Sequence, residues 1–568
     1  MICRQFRKDR RLNNQSAHRA GASADSDASA GCSISGRVEK NLPRLFLVVA
    51  LALGVPFTFL NPPLQAPDEF AHFFRAYGVS EGQLVAHDTT SVPQGVVELV
   101  REFPPKLETD HRVREQDLII AAHEPLQESY PAAVRNEGMG MYSFVPYLSA
   151  AAAIRLGRLF SVSPLVLLYL GRLANAITYV LLVYLALRLL PDFRFLLFCL
   201  ALVPTALSQG NSLSTDAISF AVAFLFAAYL LKLAFDPAVS RIQHRHQAAL
   251  GVLIVLAALC KADIILLLLA GLISSRKFSS VRARYFSLGC YAALAIATTA
   301  GWNFINAHNL QLWQAARLQL GISLTGNWQF VLQHPLLFLG AAYRTIQFHA
   351  FHYLDNFVST VGWLAASIPA WAVWSYFALL LIVAFTQTRY VAFALWQKVL
   401  LAAVVSAGMA SVFIMLWGFE TPASYAQQFV LAGVGHVPGV QGRYFIPFAF
   451  PCLLILSNTK LRLNARWLPV LLTVGTICLT SGATWMTIRH TFYVPDVATR
   501  FTGSLEGCLV KKPGNGSDAL AVYFIENGRK RPVTSVDWVR AKGLKWPSAL
   551  KVVRPEELDA IPSGPNLP

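Results

Sequence analysis

The sequence predicts an all-α polytopic membrane protein of about eleven transmembrane helices (roughly nine to thirteen), closed by a small α+β appendage. Three observations predict it. Hydrophobic residues make up 55% of the 568-residue chain and charged residues only 14%, where soluble domains carry roughly 25% charge. The apolar residues come in continuous runs instead of alternating, which excludes a β-barrel. Only the last stretch, 488–568, returns to the mixed composition of a small water-exposed fold.

The elements follow in order. Residues 1–44 carry nine Lys/Arg against four acidic residues and no apolar periodicity, which reads as a disordered basic tail. A bilayer crossing needs roughly 20 apolar residues, and runs of that kind lie near 45–60, 143–160, 164–187, 195–212, 214–235, 249–273, 285–302, 368–387, 394–417, 443–458 and 467–487. The run 249–273 is interrupted by Lys261 and Asp263, as a broken helix would be. A transmembrane domain of 45–490 with external loops 61–142, 303–367 and 418–442 is expected, followed by the appendage at 491–568. In that appendage Ala519–Ile525 and Glu526-Asn527-Gly528-Arg529 read as a strand entering an Asn-Gly hairpin, and Ser535 as the N-cap of a short helix.

The net charge of +17 would suit nucleic acid, but its distribution points to a membrane. Basic loops stay cytoplasmic, so the tail belongs inside. The loop 61–142, with thirteen Asp/Glu against six Lys/Arg, belongs outside. A multi-pass membrane protein with a cytoplasmic N-terminus is expected, with lipids and no nucleic acid as partners. The eight cysteines show no paired spacing for zinc or redox chemistry. No Walker-type loop, Rossmann glycine signature or nucleophile elbow is present, which leaves ATP-driven transport and serine hydrolysis without support.

The most informative stretch is Pro62-Pro63-Leu64-Gln65-Ala66-Pro67-Asp68-Glu69-Phe70-Ala71-His72, directly after the first apolar run. Asp68, His72 and Arg75 are spaced i, i+4, i+7 on a helix that Pro67 starts, with Glu69 about 100° round it. The helix dipole keeps a first-turn carboxylate ionised, ready to take a proton or hold a divalent metal. The plainer reading is that the pair merely caps an interfacial helix. Asp216 and Lys261 are charges set between apolar runs, where such residues face a cavity or a partner; a mutual ion pair is the plainer reading. Arg443 suits a phosphate through its planar fork, or else anchors a helix end. His349 and His352 have only Asp355 as a local acidic companion, so the aromatics around them read as an interfacial belt before a metal site.

Pro62-Pro63-x-x-x-Pro67-Asp68-Glu69-x-x-His72-x-x-Arg75-Ala76-Tyr77 resembles the signature of a bacterial family of multi-spanning membrane proteins of unknown function. Four further stretches share the resemblance: Tyr142–Tyr147, Tyr169–Asn175, Ser212–Ala217 and Gly439–Pro447, which contains Gln441-Gly442-Arg443-Tyr444-Phe445. That family is similar to the GT-C glycosyltransferases, which use polyprenyl-phosphate sugars. The resemblance covers 45–490 and implies a GT-C-like transmembrane fold. It implies Asp68 or Glu69 as catalytic base and Asp216 as a second acidic residue that positions acceptor or metal. The substrate-facing set is then His72, Arg75, Asp216, Lys261, Gln441, Arg443 and Tyr444. No metal ligand is assigned, and a divalent metal stays open as a cofactor. The expected partners are a polyprenyl-phosphate-linked sugar and an envelope glycan or glycolipid acceptor. The competing readings are a flippase of lipid-linked glycans and a non-catalytic envelope-assembly protein.

Overall fold

The computed structural model describes residues 41–567 apart from 105–112, 114, 137, 191, 261–263, 363–365, 387–392, 458–466, 494–504, 506, 515–520, 527–528, 548, 556–557, 559–560, 562 and 564–566. The fold is mostly helical. Helix α1 (Asn41–Leu60) leads into a polar segment with its own small architecture. There α2 (Glu69–Ser80) is followed by β1 (Thr89–Pro93), which pairs antiparallel with β2 (Pro131–Arg135) from Thr89 opposite Arg135 to Pro93 opposite Pro131. Between the two strands lie α3 (Gln94–Glu102) and α4 (Glu115–His123).

The bundle proper continues with α5 (Leu148–Leu159), α6 (Pro164–Leu189), α7 (Arg194–Ala201), α8 (Pro204–Gly210), α9 (Thr215–Phe235) and α10 (His244–Leu259). Ser163 caps α6, its hydroxyl accepting from Val166 N–H, and Pro164 occupies the first turn where its missing donor is harmless. Helix α9 is apolar all round, and 89% of its most hydrophobic window is buried, so other helices surround it on every side. The opposite case is α11 (Val281–Ile305), where 11% of the window is buried and the apolar surface faces outward, as lipid contact requires. Helices α12 (Ala307–Gln319), α13 (Leu324–Gln333) and α14 (Pro335–Ser359) fill the segment read as the second long loop. Then come α15 (Ala370–Thr386), α16 (Leu395–Glu420), and two further apolar helices, Gly442–Ile455 and Leu468–Phe492.

Among the described residues six helices are long and apolar enough to cross a bilayer: Asn41–Leu60, Pro164–Leu189, Thr215–Phe235, Val281–Ile305, Leu395–Glu420 and Leu468–Phe492. The other five expected spans are short or divided, and proline explains most of the difference. The run 195–212 is two helices because Pro204 cannot donate to the turn before it and starts α8 instead. The run 143–160 opens with a 3₁₀ turn at Val145–Tyr147 containing Pro146, which leaves α5 only 12 residues. Pro447 and Pro451 fall within the Gly442–Ile455 segment, and Ala370–Thr386 stops at 17 residues. The run 249–273 is divided between α10 and a 3₁₀ stretch, Ile264–Leu272; Lys261 and Asp263 themselves lie outside the described residues. Helices α13 and α14 are separated at His334, with Pro335 opening α14.

The C-terminal region holds a four-stranded sheet in the order β5-β4-β3-β6. Its strands are β3 (Leu509–Lys511), β4 (Val522–Glu526), β5 (Arg529–Pro532) and β6 (Leu550–Val552). β4 and β5 pair antiparallel with Glu526 opposite Arg529; the expected Asn527-Gly528 turn itself lies outside the described residues. The Ser535 hydroxyl accepts from Asp537 N–H and caps Val536–Ala541.

Candidate active site

The chain leaves α1 through a bent connection in which Leu64 (φ 62°) and Asp68 (φ 57°) both adopt the left-handed conformation. That conformation is uncommon for any residue with a Cβ, and more so for leucine than for aspartate. Such strain, about 1–3 kcal/mol for each residue, persists only where surrounding contacts impose it. Asp68 stands at the N-cap position of α2, and its backbone carbonyl accepts from Ala71 and His72 N–H. Its carboxylate makes no capping bond to that helix, so the plain capping reading does not describe this residue.

Glu69, one position on, is wholly buried and turned into the bundle. Its Oε1 accepts from Arg172 Nε at 2.8 Å and from Leu213 N–H at 2.9 Å; its Oε2 accepts from Arg172 Nη2 at 2.6 Å. Arg172 on α6 uses the rest of its fork on the carbonyls of Thr58, Asn61 and Pro62, at 3.0, 2.6 and 2.8 Å. Neither side chain of this ion pair is exposed. The arrangement stitches the end of α1, the bent connection, α2, α6 and the turn before α9 into one unit. Asn175, one turn further along α6, extends it by donating to the Ser212 carbonyl while accepting from the Ser149 hydroxyl.

A second buried arginine lies nearby in the same network of segments, and one of its nitrogens is left without a partner. Arg443 Nη1 is 3.4 Å from Asp216 Oδ2 and 3.4 Å from Gln209 Oε1, with the Arg443 and Asp216 side chains 7% and 9% exposed. Asp68 and Tyr444 also act electrostatically on its guanidinium, which lies 5.3 Å from the Tyr444 ring centre. Asp216 sits in the first turn of α9, where free N–H groups and the helix dipole favour an anion. Several polar atoms around this point are buried with no hydrogen-bond partner: Arg443 Nε, Gln209 Nε2, Gln441 Oε1 and Thr215 Oγ1. Native interiors leave few such groups unmatched.

The backbone places Arg443 there by close approach. A Cβ on Gly442 would run into the Tyr353 carbonyl oxygen and come within 2.5 Å of Phe357 N, both on α14. Only glycine lets the Gln441–Phe445 turn press so tightly on that helix. Helix α14 is tied in turn to α8: Thr205 Oγ1 donates to the Asn356 carbonyl and accepts from Thr360 N–H.

The remaining expected residues fall elsewhere. His72 is buried with Nδ1 2.7 Å from the Tyr147 hydroxyl. Arg75 donates to the carbonyls of Gln83 and Leu84, both at 2.7 Å, and its guanidinium lies 5.8 Å from the Tyr147 ring centre. Burial lowers the pKa of Arg75, and Tyr147 opposes that shift. The face 68, 72, 75 therefore divides: Asp68 is coupled to Arg443, while His72 and Arg75 converge on Tyr147. Lys261 lies outside the described residues. Among the described residues no group of three His, Cys, Asp or Glu side chains is arranged to hold a metal ion. The sequence reading left two residues of this region without a role, Arg172 and Gln209. Arg172 carried a signal, because a charge in the middle of the apolar run 164–187 demands a buried partner. Gln209, a neutral amide in an apolar run, carried almost none.

The family model described as "Predicted membrane protein (DUF2142)" matches residues 51–452, and the chain belongs to that family. The matched range contains Asp68, Glu69, Arg172, Gln209, Asp216 and Arg443. No curated protein and no solved structure matches the chain.

Proposed function

Starting from membership of that family, we propose that this multi-pass membrane protein is a glycosyltransferase of GT-C type. It transfers a sugar from a polyprenyl-phosphate donor to a cell-envelope glycan or lipid-linked acceptor. The observation that supports the reading best is a buried Arg443 whose Nε has no partner, close enough to Asp68, directly after the first span, for the two to interact electrostatically. One group suits a base and the other suits a phosphate.

In this mechanism Asp68 takes the proton of the acceptor hydroxyl. The resulting oxygen attacks the anomeric carbon as the bond from that carbon to the phosphate oxygen breaks. The electron pair leaves with the phosphate, configuration inverts, and the Arg443 fork stabilises the departing oxygens. Asp216 and Gln209, each 3.4 Å from Arg443 Nη1, orient Arg443. Glu69 is assigned no proton transfer, because both its oxygens already hold Arg172 and the Leu213 N–H. Lys261 remains a candidate second cation for the phosphate.

The site is assigned to the extracytoplasmic face of a bacterial inner membrane. The basic segment 1–44 argues that the N-terminus is cytoplasmic, and a single crossing by α1 then carries Asp68 outward. A cysteine at Gln83, in a chain otherwise free of cysteine, reacts with an impermeant thiol reagent in intact spheroplasts on this assignment; protection there removes it. The reaction itself is tested by reconstitution with a panel of polyprenyl-phosphate sugars and envelope acceptors. Release of polyprenyl phosphate that Asp68→Asn abolishes is the expected result. Movement of the intact lipid without release would identify a flippase instead.

A further inference from the structure

We propose that the cleft between α14 and the 431–440 loop binds a phosphate-class anion, gripped by Arg344 and His436 with His349 at its mouth. The proposal does not rest on the transferase reading. The loop is fixed to its surroundings by three bonds. Arg344 Nε donates to the Gly435 carbonyl at 3.0 Å, Val437 N–H donates to Thr345 Oγ1 at 2.7 Å, and His436 N–H donates to the Tyr425 hydroxyl oxygen at 2.9 Å. They hold the His436 ring edge-on to His349, with centres 5.5 Å apart, and beside Phe348 at 5.4 Å.

This cage gathers cation-forming groups and leaves their donors unused. Arg344 Nη2 and His436 Nε2 are both buried with no hydrogen-bond partner. Burial, and then the charges of His349 and Arg344, hold the pKa of His436 below its usual value, and no carboxylate is among the groups acting on it. A buried guanidinium N–H left unpaired beside two imidazoles is unfavourable without a ligand. A tetrahedral oxyanion relieves both defects, because its oxygens accept from Arg344 Nη2 and from an Nε2–H of His436, with the His349 ring beside them. A planar fork with one bond already committed to Gly435 presents its remaining N–H groups in a fixed direction, which favours phosphate over a spherical anion.

The site is separate from the one at Arg443. Gly442 touches α14 at Tyr353 and Phe357, whereas Arg344 lies nine residues earlier on the same helix, about 13 Å along its axis at about 1.5 Å per residue. Two sources of the anion fit this chemistry, a lipid headgroup reaching in from the bilayer or a soluble phosphate.

The test uses the full-length protein in nanodiscs of neutral lipid, read by ³¹P resonance perturbation. One arm adds inorganic phosphate, and the other includes polyprenyl phosphate in the disc. Saturable perturbation in at least one arm is expected; the first arm identifies a soluble source and the second alone a headgroup. Arg344→Gln and His436→Gln should each weaken binding about tenfold or more, Arg344→Lys less, and exposed Arg245→Gln not at all. Asp68→Asn should leave binding intact, so loss of transfer and loss of this site are separable. His436→Gln keeps the test decisive if Arg344→Gln fails to fold. Absence of perturbation in both arms, or unchanged affinity in the folded His436→Gln variant, overturns the proposal.

Discussion

Arg172 and Arg443 are both buried arginines opposite a carboxylate, and they are built in opposite ways. Arg172 spends its fork on two contacts to Glu69 and three to backbone carbonyls, at 2.6 to 3.0 Å. Arg443 Nη1 lies 3.4 Å from Asp216 Oδ2, and its buried Nε has no partner. A buried ion pair is tolerable in a low-dielectric interior only when the remaining protons and lone pairs are also matched. Arg172 meets that condition and has nothing left to offer a substrate. Arg443 does not meet it, and a departing phosphate is the kind of ligand that would. On the proposed mechanism the difference separates a cation that holds the fold from one that meets the substrate, and Glu69 and Asp68 take the same two roles.

The comparison is broken or upheld most directly by exchanging the two carboxylates' fates. Asp68→Asn should lower transfer about 10²- to 10⁴-fold, the usual contribution of a catalytic base, with an unchanged melting profile. Glu69→Gln should do the reverse. It leaves Arg172 buried without its counter-charge and should lower stability by about 3–5 kcal/mol, read by thermal unfolding in detergent. An unstable Asp68→Asn or a stable Glu69→Gln would collapse the distinction. A smaller effect is expected at Arg443→Lys, which keeps the charge but loses the fork: transfer should fall about tenfold to a hundredfold while folding is retained.

Gly442→Ala sharpens the same contrast through the backbone. The new methyl group meets the Tyr353 carbonyl and Phe357 N, and overpacking of this kind costs about 1–3 kcal/mol. Because the displaced turn carries Arg443, transfer should fall more than stability does, measured as rate against melting point. The smallest effect concerns Glu102 on α3, far from either arginine in the chain. Burial, then Glu124 and Asp117, raises its pKa from 4.5 to about 7. Between those two values the folded protein keeps a proton that the unfolded chain has released, so stability falls as pH rises through that window and levels off above it. Glu102→Gln should flatten this slope, seen in melting points taken at about pH 5 and about pH 8.

Much of the architecture was legible because it is written in local patterns. The helix after Pro67, the antiparallel pairing of Glu526 with Arg529 and the Ser535 cap each depend on a few consecutive residues, and each occurs where those residues are. Asp216 and Arg443 were legible as charges in apolar surroundings, and they meet. What was illegible came from proline placement and from distance. Run length alone does not show that Pro204 and Pro146 divide two apolar runs into short helices. Glu69 and Arg172 are 103 positions apart, and no local pattern links them. For Gln209 the signal was absent, since a single amide in an apolar stretch is common on packed helices.

By itself the sequence determined that the chain is helical and membrane-embedded, because continuous apolar runs must satisfy their backbone groups internally once water is excluded. It also determined which few charges the apolar bulk would have to accommodate. Tertiary structure alone decided how those charges pair. Asp68 and Glu69 are neighbours with the same chemistry and nearly the same local context. Glu69 opens helix α2 and enters a saturated ion pair, whereas Asp68, in the left-handed conformation just outside that helix, is left coupled to Arg443. Desolvation and pairing depend on side chains delivered from α6, α8, α9 and the Gln441–Phe445 turn, and those meet only in the folded bundle.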